Sequence, residues 1–144
     1  MSPDEDRGGA GPGRRLVITA RLENLEGVRR WMTEVLESLR FPHQQVFEIN
    51  VAMAEALTNV IRHAYGGPSD QQIIIEASWT DDRITISIQD FGQKFDPAQH
   101  GTPDLDRPAE GGYGMFLMRR FMDEVTYDLS PPVGTIVRLL KRRV

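Results

Sequence analysis

Residues 44–64 read QQVFEINVAMAEALTNVIRHA and predict one long amphipathic helix, the most informative element of the chain. Successive side chains of a helix are about 100° apart, so residues three and four positions apart share a face. One face is apolar and must pack against the sheet; it consists of Ile49, Met53, Ala56, Leu57, Val60 and Ala64. A second stripe runs beside it and contains Glu48, Ala52, Glu55, Asn59 and His63.

Three polar side chains of the second stripe, Glu55, Asn59 and His63, follow one another one turn apart at the border of the core. A carboxylate, an amide and an imidazole are costly to desolvate there unless a ligand or a metal ion satisfies them. A carboxylate can act as a general base, and an amide oxygen is a ligand suited to Mg²⁺. A solvated helix face explains the same spacing equally well when this helix is considered alone.

The elements on either side of this helix are predicted from the periods that distinguish strands from helices. Asn24 is expected to cap the first helix, and Phe41-Pro42 to end it. Short links join the strands in the second half of the chain and predict antiparallel pairs. We therefore expect an α/β two-layer sandwich with a mixed, mostly antiparallel sheet and helices on one face. The predicted strands are residues 15–22, 72–80, 83–89, 125–129 and 135–141, and the predicted helices are residues 25–39, residues 44–64 and a third that begins near Tyr113.

The length of 144 residues and the mass of 16.3 kDa favour a single domain. The net charge of −4 argues against a general nucleic-acid or anionic-membrane binder. The absence of cysteine excludes disulfides, thiolate metal sites and a cysteine nucleophile. No apolar run approaches the roughly 20 residues that span a bilayer, and no secretory signal is visible, so we expect a cytoplasmic protein. Residues 1–14 predict a disordered leader, and residues 15–144 predict the folded domain.

A segment rich in glycine, proline and charge, residues 90–112, follows the predicted hairpin and has the length of a functional loop. It opens with Asp90-Phe91-Gly92, directly after a strand. A carboxylate at that place can accept a hydrogen bond from the exocyclic amine of a base, and glycine lets the backbone approach a flat ligand. An ordinary turn after a strand explains the three residues equally well. The three residues also match the magnesium motif of eukaryotic-type protein kinases, but that interpretation fails because the glycine loop and the catalytic loop of those kinases are missing here.

A second group of glycines, Glu110-Gly111-Gly112-Tyr113-Gly114, opens the third predicted helix. Glycines at a helix N-terminus leave backbone N–H groups open to an anion, and the helix dipole favours negative charge there. A flexible hinge before the helix is the alternative. Gly134-Thr135, at the start of the last strand, offers a hydroxyl that can assist a base, although a strand that begins with a β-branched residue needs no such explanation.

The order and spacing of these motifs resemble the GHKL ATPase superfamily, and within it the stand-alone anti-sigma-factor serine/threonine kinases. The resemblance covers residues 15–143 and implies the Bergerat-type ATP-binding fold. The strings that carry it are AEALTN at 54–59, HAY at 63–65, DFGQKFD at 90–96, EGGYGMFLM at 110–118 and MDEV at 122–125.

The resemblance implies a role for each matching position. Glu55 is the general base that takes the proton from the attacking hydroxyl, and Asn59 holds one Mg²⁺ that bridges the phosphates of ATP. Asp90 binds the adenine amino group, Gly92 lies beneath the base, and Thr135 supports the base through water.

The phosphates are implied to bind at the start of the third helix, with contributions from the end of the second. One position departs from the family pattern, because many members carry a second glycine where Lys94 stands. The remaining nucleotide-binding residues that the resemblance implies are Arg62, His63, Phe95, Gly111, Gly112, Tyr113 and Gly114.

The function implied is an ATP-dependent serine/threonine kinase that phosphorylates a STAS-type anti-anti-sigma protein and binds and inhibits a sigma factor. A homodimer is implied, with residues 15–39 as its surface, and neither a nucleic acid nor a membrane is an expected partner. One alternative is a switch kinase that acts on a STAS protein without binding a sigma factor. Another is a nucleotide-gated binding module with little catalysis, against which the presence of Glu55 argues.

Overall fold

The computed structural model describes residues 12–94 and 112–144, and for residues 112–114 the backbone only. These ranges contain a five-stranded sheet and three α-helices in the order β1-α1-α2-β2-β3-α3-β4-β5. The strands are β1 Gly13–Thr19, β2 Gln72–Trp79, β3 Arg83–Gln89, β4 Glu124–Asp128 and β5 Ile136–Arg142, and the helices are α1 Leu25–Ser38, α2 His43–Asn59 and α3 Gly112–Phe121.

The strands lie in the order β1-β2-β3-β5-β4, and all four pairings between the described strands are antiparallel. The predicted two-layer α/β sandwich is confirmed, with antiparallel pairing where a mixed sheet was expected. The bounds of β3 agree with the prediction, and those of the other strands differ by at most three residues. The largest difference is at β1, which already pairs Gly13 and Arg14 with β2, although we assigned both residues to the leader.

Alternate residues of the central strands form the inner face of the sheet, against which the helices pack. The face is built largely from isoleucine, whose β-branched side chain suits a pleated, buried surface. The apolar stripe predicted for α2 is buried in full, so the helix has the predicted orientation. The buried strand residues are Ile73, Ile75, Ala77, Ile84, Ile86, Ile88, Val137 and Leu139.

Asn24 does not cap α1, contrary to our prediction. Its backbone has helical dihedral angles inside a short 3₁₀ turn, Leu22–Asn24, and its side chain makes no capping hydrogen bond. The side-chain amide instead donates to the backbone oxygen and the hydroxyl of Thr19, both at 2.9 Å. Leu22, predicted to end the first strand, lies in that turn because the chain leaves the sheet at Ala20.

The second predicted helix is not α-helical to its end. It changes at Val60–Ala64 into a π-helical turn, in which the amide of Tyr65 donates to the carbonyl of Val60 at 3.1 Å. A π-turn inserts one residue into the helical repeat and recurs at functional sites. His63 therefore leaves the straight line with Glu55 and Asn59 that an ideal α-helix predicts.

A partly buried ion pair links α2, α3 and β5. Lys141 is 9% exposed and donates to the carboxylate of Glu48 at 3.1 Å and to the backbone carbonyl of Phe121 at the end of α3. A cation at a helix C-terminus is favoured by the helix dipole. One ammonium group therefore holds both helices on the same strand. None of the helices in the described ranges is long and apolar enough to cross a membrane.

Replacing Lys141 by methionine tests this link. The substitution keeps the aliphatic stem but removes the donor to Oε1 of Glu48 and to the carbonyl of Phe121, so we expect a loss of about 1–3 kcal/mol in the free energy of unfolding. Urea denaturation measures it. The control is Arg29→Met, which breaks an exposed pair with Glu26 and should leave the transition unchanged. Equal effects from the two variants would contradict a special role for Lys141.

Candidate functional site

A pocket lies between the sheet and the end of α2, with about 310 Å³ of empty space when the open solvent at its mouth is included. Asn59, Asp90 and Thr135, which the sequence analysis selected from three separate segments, lie together in its wall. The rest of the wall is largely apolar, which is typical of small-molecule sites that orient a ligand with a few polar groups. The complete lining is Ala56, Asn59, Val60, Ala64, Asp90, Tyr127, Thr135 and Val137.

Asp90 is the acidic group of this pocket and is 2% exposed. Its Oδ1 accepts a hydrogen bond from the amide of Gly92 at 3.0 Å, and its own amide donates to the carbonyl of Thr135 at 3.0 Å. Burial raises the pKa of the Asp90 carboxyl, while backbone hydrogen bonds from Gly92 and Thr135 and the charge of Lys94 lower it. The carboxylate is thus held in one orientation by backbone donors in an environment that excludes water.

Asn59 stands at the end of α2, lines the same pocket as Asp90 and is 7% exposed. Its side-chain nitrogen is buried and has no hydrogen-bond partner among the described residues. An unsatisfied buried polar group in a native fold calls for an explanation, and a ligand that enters the pocket supplies one. The nitrogen can donate to a ligand in the pocket, and the oxygen of the same amide is the atom that a metal ion would take as its ligand.

Glu55 lies one helical turn before Asn59 on α2 and is half-buried, beside the pocket but not in its lining. Arg62 and His63 belong to the π-turn, where Arg62 is exposed and His63 is half-buried. Neither lines the pocket. Of the polar stripe predicted on α2, the structure thus brings Asn59 alone into the pocket lining, and Glu48 pairs with Lys141 instead.

Gly92 is required by a contact within the protein. A Cβ at this position would collide with the carbonyl oxygen of Ala64 and would lie 2.6 Å from its carbonyl carbon. The next amide, that of Gln93, donates to the same carbonyl oxygen at 2.8 Å. The prediction that Gly92 approaches a flat ligand stays a prediction, because the close approach in this structure is to the end of α2.

Gly134 is also required by a close backbone contact, in this case with Asp90. Its φ angle is +79°, and a Cβ would collide with the carbonyl oxygen of Asp90 and lie 2.6 Å from its carbonyl carbon. Glycine adopts this left-handed conformation without steric cost. The sequence analysis noted this glycine only as the start of a strand, and Asp90 is far from it along the chain, so no local pattern could reveal the contact.

Tyr65 and Tyr127 are the site residues that sequence reasoning missed. The hydroxyl of Tyr65 accepts from the amide of Phe91 at 2.8 Å and donates to the carbonyl of Gln72 at 2.6 Å, which fixes the segment that follows β3. Tyr127 lines the pocket from β4; burial raises its pKa to about 12, against the opposing charge of Arg119. Tyr65 stands beside the predicted His63, but nothing in the sequence relates it to Phe91.

The backbone of α3 begins at Gly112, one residue before the predicted start, and Gly114 lies in its first turn. The first N–H groups of a helix have no partner within the helix, and the predicted binding of an anion at this end stays a prediction. Phe95 and Gly111 lie outside the described residues, as does the side chain of Tyr113. Their predicted roles are therefore not tested.

Within residues 12–94 and 112–144 no group of three or more His, Asp or Glu side chains is placed to hold a metal ion. The donor set near the pocket is instead one amide, Asn59, with Glu55 one turn away. Mg²⁺ keeps several waters and commonly takes its other ligands from substrate phosphates, so a single protein oxygen suits it when it arrives with a nucleotide. The residues present therefore fit a magnesium ion bound together with its substrate.

Comparison with known proteins supports the family that the sequence motifs resemble. A profile of the histidine kinase-like ATPase domain matches residues 18–141. The chain is 29% identical over 132 residues to a serine-protein kinase RsbW of Oceanobacillus iheyensis, covering 86% of this chain and 82% of the relative. It is 30% identical over 133 residues to an anti-sigma F factor of Bacillus velezensis, covering 88% and 89%.

Two solved structures share the fold. The RsbU and RsbW domains of a Mycobacterium tuberculosis protein superpose with a TM-score of 0.67 at 19% identity, over 92% of this chain and 32% of that one. The SiaB–SiaC complex of Pseudomonas aeruginosa gives a TM-score of 0.66 at 13% identity, over 88% and 87%. The profile covers most of the chain, and relatives at this identity cover it nearly end to end. The chain therefore belongs to the histidine kinase-like ATPase family and is a serine/threonine protein kinase of its RsbW and anti-sigma F group.

Proposed function

We propose that this kinase binds ATP in the pocket between α2 and the sheet and transfers its γ-phosphoryl group to a serine or threonine of a STAS-type anti-anti-sigma protein. The observation that carries the proposal is the convergence of Asn59, Asp90 and Thr135 in one largely apolar pocket. A flat heterocycle with an exocyclic amine matches such a wall, since the Asp90 carboxyl group offers acceptor oxygens and the apolar residues can cover the faces of the ring.

The reaction asks for positioning and charge neutralisation more than covalent chemistry. Glu55 is the proposed general base and takes the proton of the attacking hydroxyl, and Asn59 is the proposed ligand of Mg²⁺. The ion, when bound, neutralises charge on the phosphates. Glu55 and Asn59 share one rigid helix, one turn apart, so the base and the metal ligand keep a constant spacing. The N-terminus of α3 is the proposed phosphate site, through the amides of Gly112 and Gly114.

The substrate protein is proposed from the relatives. Two of them are named as a serine-protein kinase and an anti-sigma F factor, and the SiaB neighbour was solved in a complex with SiaC. These names support a partner-switching kinase whose substrate is an anti-anti-sigma protein and whose second partner is a sigma factor. A switch kinase that acts on a STAS protein alone uses the same catalytic residues, and binding to a purified sigma factor separates the two.

We propose that the homodimer uses the outward-facing part of residues 15–39. Val17 on β1 is 40% exposed, and β1 is an edge of the sheet among the described strands, so this region is available to a second chain. Met32 is fully buried in the core and does not contribute, whereas Trp31 is half-buried and packs against that core.

The first test concerns the general base. Glu55→Gln keeps the shape of the side chain but cannot accept the proton, so we expect phosphotransfer to slow by about 10²–10⁴-fold while ATP binding persists. The assay follows phosphate on a purified STAS-domain protein by mass spectrometry. Glu34→Gln, an exposed change on α1, is the matched control. Transfer by Glu55→Gln at the wild-type rate would show that Glu55 is not the general base. If the wild-type protein itself transfers phosphate only slowly, that result favours a nucleotide-gated binding module.

A second test concerns Asp90. Asp90→Asn is expected to weaken ATP binding at least about tenfold, because it replaces one of the two acceptor oxygens of the carboxylate by an NH₂ group, which cannot accept from the adenine amine. The free energy of unfolding at neutral pH, in contrast, should not fall in this variant. Burial raises the pKa of Asp90, so the folded state binds its proton more tightly than the unfolded state and is destabilised by ionisation above both pKa values.

Chemical denaturation across pH measures this linkage. We expect Asp90→Asn to be as stable as wild type or more so at pH 7, and the difference to shrink as the pH falls through the raised pKa toward the ordinary value of about 3.9. A variant that loses stability and ATP affinity together at pH 7 indicates a structural role for the carboxylate instead.

A third test concerns Asn59. Asn59→Ala should abolish the gain in ATP affinity that Mg²⁺ confers, because it removes the one proposed protein ligand of the ion. Nucleotide titrations with and without Mg²⁺ measure this gain. Asn50→Ala is the matched control: Asn50 lies on the same helix but donates to the hydroxyl of Thr33 on α1, at 3.0 Å. If Mg²⁺ still strengthens binding to Asn59→Ala by the wild-type factor, the metal assignment fails.

A further inference from the structure

Lys94 joins two segments that meet at the candidate nucleotide pocket. It lies four residues after Asp90, and its Nζ donates to the carbonyls of Leu129 and Gly134, each at 2.8 Å, and to that of Pro131. All three acceptors belong to the connection between β4 and β5. An ammonium group has three N–H donors, and here each has a backbone acceptor.

We propose that Lys94 is a positioning residue that ties the β4–β5 connection to the segment after β3 and thereby sets the selectivity of the pocket for adenine. The inference rests on the proposed function, since it concerns the same pocket. The carbonyls of residues 129, 131 and 134 converge on one atom only if the connection is folded back on itself. The lysine therefore determines the path of a connection that has no strand pairing of its own.

The path of this connection determines how the Asp90 carboxylate is held. Gly134, one of the three acceptors, lies directly against the carbonyl of Asp90 and leaves no space for a Cβ. The next residue, Thr135, lines the pocket and is 3% exposed; its backbone exchanges hydrogen bonds with Asp90. A displacement of the connection would thus move both Thr135 and the donor that orients the carboxylate.

Lys94 also acts on the same carboxylate through its charge, which lowers the pKa of Asp90 against the effect of burial. An ionised carboxylate accepts hydrogen bonds only, so it selects an amine over a carbonyl at the matching position of the base. The lysine therefore favours adenine over guanine in two ways. It holds the acceptor in place, and its charge lowers the pKa of that acceptor against the effect of burial.

Two substitutions separate these contributions. Lys94→Met keeps the length of the side chain and removes both the donors and the charge. Lys94→Arg keeps the charge, but its planar, fork-shaped group cannot place three donors toward the three carbonyls from one atom. If the three hydrogen bonds of Lys94 matter, Lys94→Arg loses the preference for ATP as Lys94→Met does. Arg83→Met is the control, because it removes an exposed cation at the far end of β3.

The experiment measures the dissociation constants of ATP and GTP by isothermal titration calorimetry, with the melting temperature of each variant. We expect wild type to prefer ATP and Lys94→Met to bind ATP about tenfold more weakly, with GTP affinity much less changed. The ATP-to-GTP ratio should fall in Lys94→Met and Lys94→Arg and remain at the wild-type value in Arg83→Met.

The outcomes distinguish this inference from the proposed function. A wild-type protein that binds no ATP overturns the proposed function and the inference with it. A wild-type protein that prefers ATP, beside a Lys94→Met variant with an unchanged ratio, overturns the inference alone. Equal weakening for both nucleotides together with a lower melting temperature assigns Lys94 a structural role and also overturns it.

Discussion

The close backbone contacts around residues 90–92 are the constraint on which the rest of the site depends. Gly92 lies against the carbonyl of Ala64 at the end of α2, and Gly134 lies against the carbonyl of Asp90. Neither contact leaves room for a side chain, so the end of α2, the segment after β3 and the start of β5 meet at backbone distance. This arrangement brings Asn59, Asp90 and Thr135, which are remote in the chain, into one wall.

Polar groups buried at this meeting point explain why the site is both ordered and available to a ligand. The Asp90 carboxylate is desolvated but oriented by backbone donors, and Tyr65 uses its hydroxyl as donor and acceptor to hold the same segment. The side-chain nitrogen of Asn59 remains without a partner in the described part of the chain. Binding sites commonly retain such costs where the ligand supplies the missing partner, whereas purely structural cores satisfy their polar groups internally.

The π-turn at the end of α2 changes the helical period that the sequence predicts for residues 44–64. The predicted apolar stripe is buried over its whole length, so the helical period of α2 was predictable from the sequence. The polar stripe was extrapolated with the same period to His63, but the extra residue of the π-turn rotates that end of the helix. Asn24 shows the same limit, because its amide could cap a helix or bind the end of β1, and only packing decides between them.

The sequence by itself determined the fold class, the burial of α2 and three of the residues that line the pocket, because hydrophobic periodicity and residue chemistry are local properties. Only the tertiary structure decided that Gly92 and Gly134 are required by backbone contacts, that Tyr65 and Tyr127 belong to the site, and that Lys94 joins two segments of it. Each of these facts depends on a contact between residues far apart in the chain. Such contacts follow from the order of strands in the sheet and from the path of the connections, which no local pattern encodes.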